Sequence, residues 1–504
     1  GIANAAASRG GALIRLDLSP HPDPGPRISP YLHSAFGEFY GRVIYDGIWV
    51  GRDSTIPNVD GLRRDVIAGC REAGVAAMRW PGGCCADHYH WRDGVGPIRY
   101  PRIHPDPDPD PLWRHEFGTD EFIRFCRLIG AEPILIANTA TGTPQEFLDW
   151  FEYCNGPAET RYGGERARNG HPEPYNVRVW GLGNTDENVW FVNHRDPEDY
   201  ARRFLQWRTA IRELTDELTL IGLGLSDRHG REGWVEGFLD YATADQTKRG
   251  PDVLSIHRYV GGGHGMNPEV EGSTAFSDDA YYALLALTDL YQHDIDLHRR
   301  YIAEHTSPRW PMTIAYDEWG VWHPEATVGT GTHQPQPWRD GVFAACLLHT
   351  FYRNCDIVQY AMVTQICNLL QSLYETDGPR FFKTPTHYVL KLFREHLGQT
   401  RIDLEAQGAS HRLDAVASRS PDGQRITLTL INQDLYAVQE IRLPKWLSSW
   451  RLLSADVIAP PDVRCLNSFG QPEAVRDEPL AGASSTSATL PPHSVARLVL
   501  ESTS

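Results

Sequence analysis

The stretch EPILIANT (residues 132–139) is a short apolar run that ends in polar side chains. Amphipathic segments such as PEDYARRFLQWRTAIREL (197–214) separate runs of this kind, and alternation of strands and helices predicts a parallel sheet. Because eight runs can be counted, we expect an α/β fold with a closed (β/α)8 TIM barrel. The other seven runs are LHSAFGEF (32–39), VAAMRWPGG (75–83), VRVWGLGN (177–184), LTLIGLGLS (218–226), VLSIHRYV (253–260), MTIAYDEW (312–319) and DIVQYAMV (356–363).

The runs share polar or otherwise unusual groups near their ends. In barrels of this type the site lies at the carboxyl ends of the strands, so these groups are candidate site residues. Any single one could instead be polar simply because loops are polar. They are Glu38, Trp80-Pro81-Gly82-Gly83, Asn138, Asn184, His257 with Tyr259, and Glu318.

The pattern changes after about residue 395. Alternating runs such as RLDAVASRS (412–420) and RITLTLINQ (425–433) predict a C-terminal antiparallel β-sandwich, jelly-roll-like in form. The early run ALIRLDLS (12–19) is expected to pair into the same sandwich. We therefore divide the chain into a leader with an N-terminal strand (1–30), a catalytic barrel (31–395) and a sandwich domain (396–504).

Composition excludes several classes of protein. The formal net charge of −17 argues against a nucleic-acid partner, which needs a basic face. No run of about 18 apolar residues predicts a membrane span, and the N-terminal residues lack the features of a signal peptide. The nine cysteines are scattered without zinc-like spacing, so we expect reduced thiols, a cytoplasmic location and no metal. The histidines of HYHW (88–91) have a spacing that could hold a metal, but nothing else supports one.

Glu318 is the candidate nucleophile. It closes the seventh run next to Asp317 and among the aromatic residues Tyr316, Trp319 and Trp322. Side chains alternate along a strand, so only one of the two acids is expected to face the barrel mouth. A retaining glycosidase needs two carboxyl groups about 5–5.5 Å apart, and the fourth and seventh strands can supply such a pair.

Several long motifs, in order, resemble the α-L-arabinofuranosidases of glycoside hydrolase family 51. The resemblance spans the whole barrel, and LPPHSVARLVL (490–500) is similar to the close of the family's sandwich. The barrel motifs are GEFYGRVIYDGIWVG (37–51), MRWPGGCCADHYHWRDGVGP (78–97), FGTDEFIRFCRLIGAEP (117–133), GTPQEFLDWFEYCNG (142–156), NGHPEPYNVRVWGLGN (169–184), SIHRYV (255–260), YDEWGVW (316–322) and TQICNLLQSL (364–373).

The resemblance implies roles for matching positions. Glu318 matches the catalytic nucleophile, and Glu38 matches a residue that holds the furanose hydroxyls. Cys84 matches a residue shaping the bottom of the sugar pocket, and Asn184 matches the asparagine that hydrogen-bonds the 2-hydroxyl.

Further implied roles lie around the nucleophile. His257 and Tyr259 match a pair that flanks it, with Tyr259 orienting Glu318. Trp91 and Trp190 could wall the pocket or could be core aromatics. The resemblance also implies a carbohydrate substrate, no cofactor and a homo-oligomer, with a hexamer as one form.

The chain departs from the family at Thr185. The family carries its general acid/base glutamate there, and a threonine hydroxyl does not titrate in the useful range. Four explanations stay open: a deliberate substitution, replacement of the acid by Asp186 or Glu187, a substrate or outside group that makes the acid unnecessary, and a pseudoenzyme that only binds sugars.

We therefore expect a retaining, exo-acting hydrolase that releases terminal α-L-arabinofuranosyl groups from arabinan- or arabinoxylan-type oligosaccharides, impaired by Thr185. One rival is a retaining glycosidase for another furanoside or for β-glucan. The rival from another class is a noncatalytic carbohydrate-binding protein.

Overall fold

The computed structural model describes residues 13–18, 25–105, 107–184, 195–226, 233–245, 249–408 and 412–503. Eight parallel strands close into a barrel, one in each of the eight predicted runs, so the predicted barrel is confirmed. The strands are β1 (Ser34–Phe36), β2 (Ala77–Trp80), β3 (Glu132–Ala137), β4 (Val179–Leu182), β5 (Thr219–Ser226), β6 (Val253–Val260), β7 (Thr313–Val321) and β8 (Val358–Val363).

The barrel closes in chain order. Each strand pairs in parallel with the next, and β8 returns to β1 through Met362 opposite Ser34 and Val363 opposite Ala35. All eight carboxyl ends therefore meet at one face, where a site is expected.

Helices surround the barrel, and their ends carry recognisable signals. Thr143 accepts a hydrogen bond from the Glu146 amide and precedes Pro144, a favourable start for a helix. The first helix ends at Gly74, in the left-handed conformation that glycine tolerates. The helices are α1 (Arg64–Ala73), α2 (Thr119–Ile129), α3 (Pro144–Asn155), α4 (Arg161–Arg168), α5 (Pro197–Arg212), α6 (Trp234–Thr243), α7 (Asp278–Ala286), α8 (Thr288–His305), α9 (Trp338–Arg353) and α10 (Pro385–Phe393).

The barrel interior has its own apolar filling. Small and branched side chains from the strands, among them Ala77, Ile134, Val179 and Met362, form a buried cluster separate from the larger core between strands and helices. The barrel is thus a packed core, and its chemistry is confined to its ends.

The C-terminal region is a two-layer sandwich. Its strands are the N-terminal strand (Leu13–Leu18), β9 (Thr400–Ile402), β10 (Leu404–Gln407), β11 (Leu413–Arg419), β12 (Arg425–Asn432), β13 (Gln439–Arg442), β14 (Trp450–Ile458), β15 (Glu478–Pro479), β16 (Ser487–Leu490) and β17 (Ser494–Ser502). A six-stranded sheet has the order β9-β11-β12-β17-β14-β15, and a four-stranded sheet has the order β10, N-terminal strand, β13, β16.

The N-terminal strand belongs to the sandwich. It runs antiparallel to β10 but parallel to β13, so the described sandwich is not purely antiparallel. Its residues Ile14 and Leu16 are buried in the core that both sheets share. Three two-stranded ribbons lie outside these sheets: Asn58–Val59 with Leu62–Arg63, Arg102–Ile103 with Leu112–Trp113, and Tyr374–Asp377 with Arg380–Lys383.

Among the described residues, no helix combines the length and apolar character that crossing a bilayer requires.

Candidate active site

Arg79, in β2, is the centre of a charged cluster at the carboxyl face of the barrel. Its side chain is fully buried. Its Nη1 donates to Glu318 Oε1 over 3.1 Å, and its Nη2 donates to Asn184 Oδ1 over 2.5 Å. Its Nε lies 3.5 Å from Asp317 Oδ2. One guanidinium therefore connects strands β2 and β7 with Asn184, two positions beyond the end of β4.

The charge of Arg79 is held by its neighbours. Burial disfavours the cation, but the carboxylates of Asp317 and Glu318 outweigh burial and raise the pKa of Arg79. The guanidinium also lies over the ring of Phe36, 5.1 Å from the centroid. A buried arginine with these partners stays charged and rigid.

Glu318 has partners on both carboxylate oxygens. Tyr259 donates its hydroxyl to Glu318 Oε2 over 2.7 Å, and the same hydroxyl lies 3.0 Å from Thr364 Oγ1. His257 Nδ1 lies 3.6 Å from Glu318 Oε2. The structure thus brings together Glu318, Tyr259 and His257, three residues predicted from the sequence.

Asp317 corrects one expectation. Side-chain alternation was expected to separate it from Glu318, yet both acids reach Arg79 and His257. The reason is a bulge: Tyr316 and Trp319 pair with Ala361 and Val363, so β7 carries one residue more than β8 across this span. Such an extra residue breaks strict alternation and re-aims side chains.

His257 lies between the two acids. Its Nε2 is 3.2 Å from Asp317 Oδ1, and the Ser255 hydroxyl donates to the same oxygen. Burial opposes protonation of the imidazole, but the carboxylates of Glu318 and Asp317 outweigh burial and raise the pKa of His257 to about 9. Burial likewise favours neutral Asp317, but Arg79 and His257 lower the pKa of Asp317.

Glu38 lies beside the cluster. The amide of Cys85 donates to its Oε1 over 3.0 Å, and Gln365 Nε2 donates to its Oε2 over 2.8 Å. Burial and the charge of Glu318 raise the pKa of Glu38, against the effect of these hydrogen bonds. This carboxyl group is therefore fixed in place.

Two glycines allow this close approach. A Cβ atom on Gly83 would lie 2.8 Å from Glu318 Oε1 and 3.2 Å from Glu38 Oε1. Gly82 has a φ of +149°, and a Cβ there would lie 2.7 Å from Glu38 Cγ. Backbone without side chains is thus required where the two carboxyl groups converge. Cys84, next in the chain, is partly exposed at the start of the following turn.

The aromatic residues near the site differ in how they pack. Trp91 is 1% exposed, packs against Tyr153 and Tyr162, and donates its Nε1 to the Glu146 carbonyl, which is the packing of a core aromatic residue. Tyr316 and Trp319 pack outward against Phe351 of α9, because they lie on the helix-facing side of β7. Trp322, by contrast, packs edge-on against Tyr259.

Four predicted positions lie outside the described residues. They are Thr185, Asp186, Glu187 and Trp190. Asn184, the residue before Thr185, is 2% exposed and bonded to Arg79.

Sequence reasoning missed three contributors to the cluster. Arg79, Ser255 and Gln365 all lie inside motifs that carry the family resemblance, but none of them is among the predicted site residues. The available signal was the presence of a charged or polar side chain within an otherwise apolar strand, as in MRW (78–80).

His90, from the possible metal spacing, pairs with Glu146 at 2.9 Å. In the described part of the chain, no group of three or more His, Cys, Asp and Glu side chains is arranged to hold a metal ion.

Comparison with known proteins decides the family. Residues 71–259 match the family described as Alpha-L-arabinofuranosidase 1 domain, and residues 317–494 match the Alpha-L-arabinofuranosidase C-terminal domain. Alpha-L-arabinofuranosidase C of Emericella nidulans is 34% identical over 75% of this chain and 74% of its own. The chain belongs to the α-L-arabinofuranosidases of glycoside hydrolase family 51.

Other members of the family match this chain over almost its whole length. The intracellular exo-alpha-L-arabinofuranosidase of Bacteroides ovatus is 29% identical over 92% of this chain and 90% of its own. The crystal structure of the family 51 arabinofuranosidase from Xanthomonas axonopodis pv. citri superposes with a TM-score of 0.87, at 28% identity, over 97% of this chain and all of that one. The chain is thus a glycoside hydrolase of the arabinofuranosidase class, with the barrel and sandwich in the family's arrangement.

Proposed function

We propose that the protein is a retaining, exo-acting glycosidase that uses Glu318 as its nucleophile to release terminal α-L-arabinofuranosyl groups. A Glu318 oxygen forms a bond to the anomeric carbon while the bond to the leaving oxygen breaks, and the leaving group takes the electron pair. Water then cleaves the glycosyl-enzyme. The single observation that carries the proposal is the set of partners on Glu318: Arg79, Tyr259 and His257.

The geometry favours Glu318 over Asp317 as the attacking group. The Glu318 side chain is 11% exposed and the Asp317 side chain is 3% exposed. Asp317 is also surrounded by Ser255, His257 and Arg79. A nucleophile must reach its substrate, so the less enclosed acid is the better candidate.

The remaining predicted residues become ligands of the sugar. Glu38 binds furanose hydroxyls, Asn184 binds the 2-hydroxyl, and Cys84 shapes the pocket floor. Burial of Asn184 and Glu38 beside Glu318 supports these roles, since buried polar groups are arranged for specific partners. The substrates in this proposal are arabinan- or arabinoxylan-type oligosaccharides.

Thr185 follows Asn184 at the position of the acid/base and impairs turnover. General acid/base catalysis contributes typically about 10²–10⁴-fold, so ordinary arabinosides are turned over slowly. An activated aryl arabinofuranoside loses less in the first step because its leaving group departs as a stable anion. The second step still lacks a base, so a glycosyl-enzyme on Glu318 accumulates.

The setting of the enzyme is part of the proposal. We infer a cytoplasmic, homo-oligomeric enzyme, with a hexamer as one form. The Bacteroides ovatus relative is an intracellular exo-alpha-L-arabinofuranosidase by name, which supports the location and the exo action. We also infer the division into residues 1–30, 31–395 and 396–504, in which the barrel carries the catalysis.

The test is the intact mass of the protein after brief incubation with an activated aryl α-L-arabinofuranoside. The parent chain is expected to gain one pentosyl unit. Thr185→Glu is expected to release arabinose rapidly without accumulating the adduct, and Glu318→Ala is expected to gain no mass. Glu304→Gln, an exposed acid on α8, serves as the control and is expected to behave as the parent does.

The rival function has a different signature. A noncatalytic carbohydrate-binding protein, which the residue at position 185 favours, would bind arabinose without forming an adduct, and Thr185→Glu would restore no turnover. That pair of results would overturn the proposal. An adduct of hexosyl mass with a hexoside, and none with the arabinofuranoside, would assign another sugar.

A further inference from the structure

Asp317 is a buried acid that the proposed reaction does not use. Its side chain is 3% exposed, so it is enclosed by protein. Three partners surround it: the Ser255 hydroxyl donates to Oδ1 over 2.5 Å, His257 Nε2 lies 3.2 Å from Oδ1, and Arg79 Nε lies 3.5 Å from Oδ2. A buried carboxylate with this many polar partners is a fixed charge.

Two of those partners also reach the nucleophile. Arg79 contacts Asp317 through Nε and Glu318 through Nη1. His257 faces Asp317 with Nε2 and Glu318 with Nδ1. Asp317 and Glu318 therefore both face the same guanidinium and the same imidazole. An imidazole that donates to both acids carries a proton on each nitrogen.

We propose that Asp317 is a positioning residue of the glycosidase reaction, which holds His257 as an imidazolium and orients it and Arg79 toward Glu318. The inference rests on the proposed function, because it assumes that Glu318 attacks the sugar. It assigns to Asp317 an electrostatic role through His257, in place of a direct part in the chemistry.

The surroundings of His257 support this assignment. The charged groups that face it are Arg79 from β2 and Asp317 and Glu318 from β7, with Glu38 beyond Glu318. The two carboxylates of β7 outweigh burial and Arg79, which raises the pKa of His257 to about 9. Removing one of these charges must lower that pKa, since an opposite charge within about 4–6 Å contributes roughly one to three pH units.

Thr185 makes the effect of His257 visible. In a retaining glycosidase a protonated acid/base carboxyl group ordinarily sets the alkaline limit of the first step. Threonine does not titrate there, so in this chain the alkaline limit of adduct formation reports on His257.

The direct test is an NMR titration of ¹⁵N-histidine-labelled protein, with His257→Gln used to assign the resonance. In the parent we expect His257 to titrate near pH 9. In Asp317→Asn, which keeps the shape of the side chain but removes its charge, the midpoint falls by at least about one unit. A parental midpoint below the usual histidine value, or one unmoved in Asp317→Asn, overturns the proposal. This measurement needs no turnover.

The kinetic test is the rate of adduct formation on Glu318 as a function of pH. Asp317→Asn is expected to lower the rate at least about tenfold and to move the alkaline limit down with the histidine midpoint. Asp240→Asn, an exposed acid that pairs with His305 at 2.8 Å, is the matched control and leaves both unchanged.

A rate loss in Asp317→Asn with the alkaline limit unmoved would show a merely structural role and overturn the proposal. Failure of the proposed function looks different: the parent and Thr185→Glu then give no adduct and no turnover at any pH, while the titration of His257 still decides the role of Asp317 as its electrostatic partner.

Discussion

Arg79 and Glu318 are 239 positions apart in the chain, yet Arg79 Nη1 donates a hydrogen bond to Glu318 Oε1 over 3.1 Å. They belong to β2 and β7, which are not neighbours in the barrel. The contact therefore spans the barrel mouth, and it exists only because the sheet closes on itself. The cluster of Arg79, Asp317, Glu318 and His257 is the electrostatic centre of the site.

Replacing Arg79 is expected to destabilise the fold as well as the site. Arg79→Ala removes the guanidinium from Asp317 and Glu318 and leaves His257 as the buried cation beside them. Breaking such an arrangement costs about 3–5 kcal/mol of the free energy of unfolding. Urea denaturation measures that loss. Arg79→Lys is expected to recover only part of that stability, because one ammonium group cannot contact Asp317, Glu318 and Asn184 together.

The control is Arg442→Ala, at an exposed arginine of β13, which should stay within about 0.5 kcal/mol of the parent. Equal stability of Arg79→Ala and the parent would contradict the assignment.

Gly83→Ala is expected to separate the two carboxyl groups. Its methyl group would lie 2.8 Å from Glu318 Oε1 and 3.2 Å from Glu38 Oε1, closer than van der Waals contact allows. A shift of about 1 Å at the reacting centre can cost roughly 100-fold in rate, so adduct formation should slow by about that factor. The control is Gly470→Ala, where an added Cβ would meet no atom within 4 Å. If Gly83→Ala forms the adduct at the parental rate, the two acids do not share one sugar site.

Tyr259→Phe removes the hydroxyl that donates to Glu318 Oε2 over 2.7 Å. Hydrogen bonds to charged groups contribute about 1.5–3 kcal/mol, so the rate of adduct formation should fall roughly 10- to 100-fold. The affinity for arabinose should change less, because the hydroxyl contacts the nucleophile and Thr364. Single-turnover kinetics on the aryl arabinofuranoside separate the two quantities. Tyr436→Phe, at a 75% exposed tyrosine of the sandwich, should match the parent; a loss of affinity alone in Tyr259→Phe would assign it to substrate binding.

Acid is expected to destabilise the junction of barrel and sandwich through His33 and His396. His33 is bonded to Tyr352, and His396 is bonded to Ser418 and Thr429. Burial lowers the pKa of His33 to about 3 and the pKa of His396 well below its usual value. Above about pH 6.5 both are neutral whether the chain is folded or unfolded, so the full stability is present. As the pH falls below that value, the unfolded chain binds protons first and stability is lost.

The slope of that loss identifies the histidines. Each contributes about 1.4 kcal/mol per pH unit to the free energy of unfolding between its unfolded and folded pKa values. Urea denaturation between pH 4.5 and 7 should therefore show a slope smaller by about that amount in His396→Gln. His293→Gln, at an exposed histidine of α8, should keep the parental slope. An unchanged slope in His396→Gln would mean that His396 does not titrate on unfolding.

Much of the fold was accessible from periodicity. The run MTIAYDEW (312–319) contains nearly all of β7, and each of the other seven runs contains a barrel strand. Apolar runs of this length are strands because they bury both faces, so their order alone predicts a barrel. The position of Glu38 just beyond β1 followed from the same pattern, whereas Glu318, expected to close β7, lies three residues before its end because the strand continues to Val321.

Other features depended on how distant parts of the chain meet. Trp91 could not be distinguished from a pocket wall, because its packing against Tyr153 and Tyr162 depends on residues over 60 positions away. Asp317 was expected to face away from Glu318, but the bulge in β7 turns both acids toward Arg79.

The sequence by itself determined the barrel, the sandwich and the strand ends that carry the candidate residues, because these follow from local hydrophobic periodicity. Only the tertiary structure decided which charged side chains contact each other, namely Glu318 with Arg79 and His257 with Asp317. Those contacts depend on barrel closure and on a one-residue shift in strand register. Neither feature can be predicted from the hydrophobic pattern of the sequence, because both are set by the pairing of strands that are far apart in sequence.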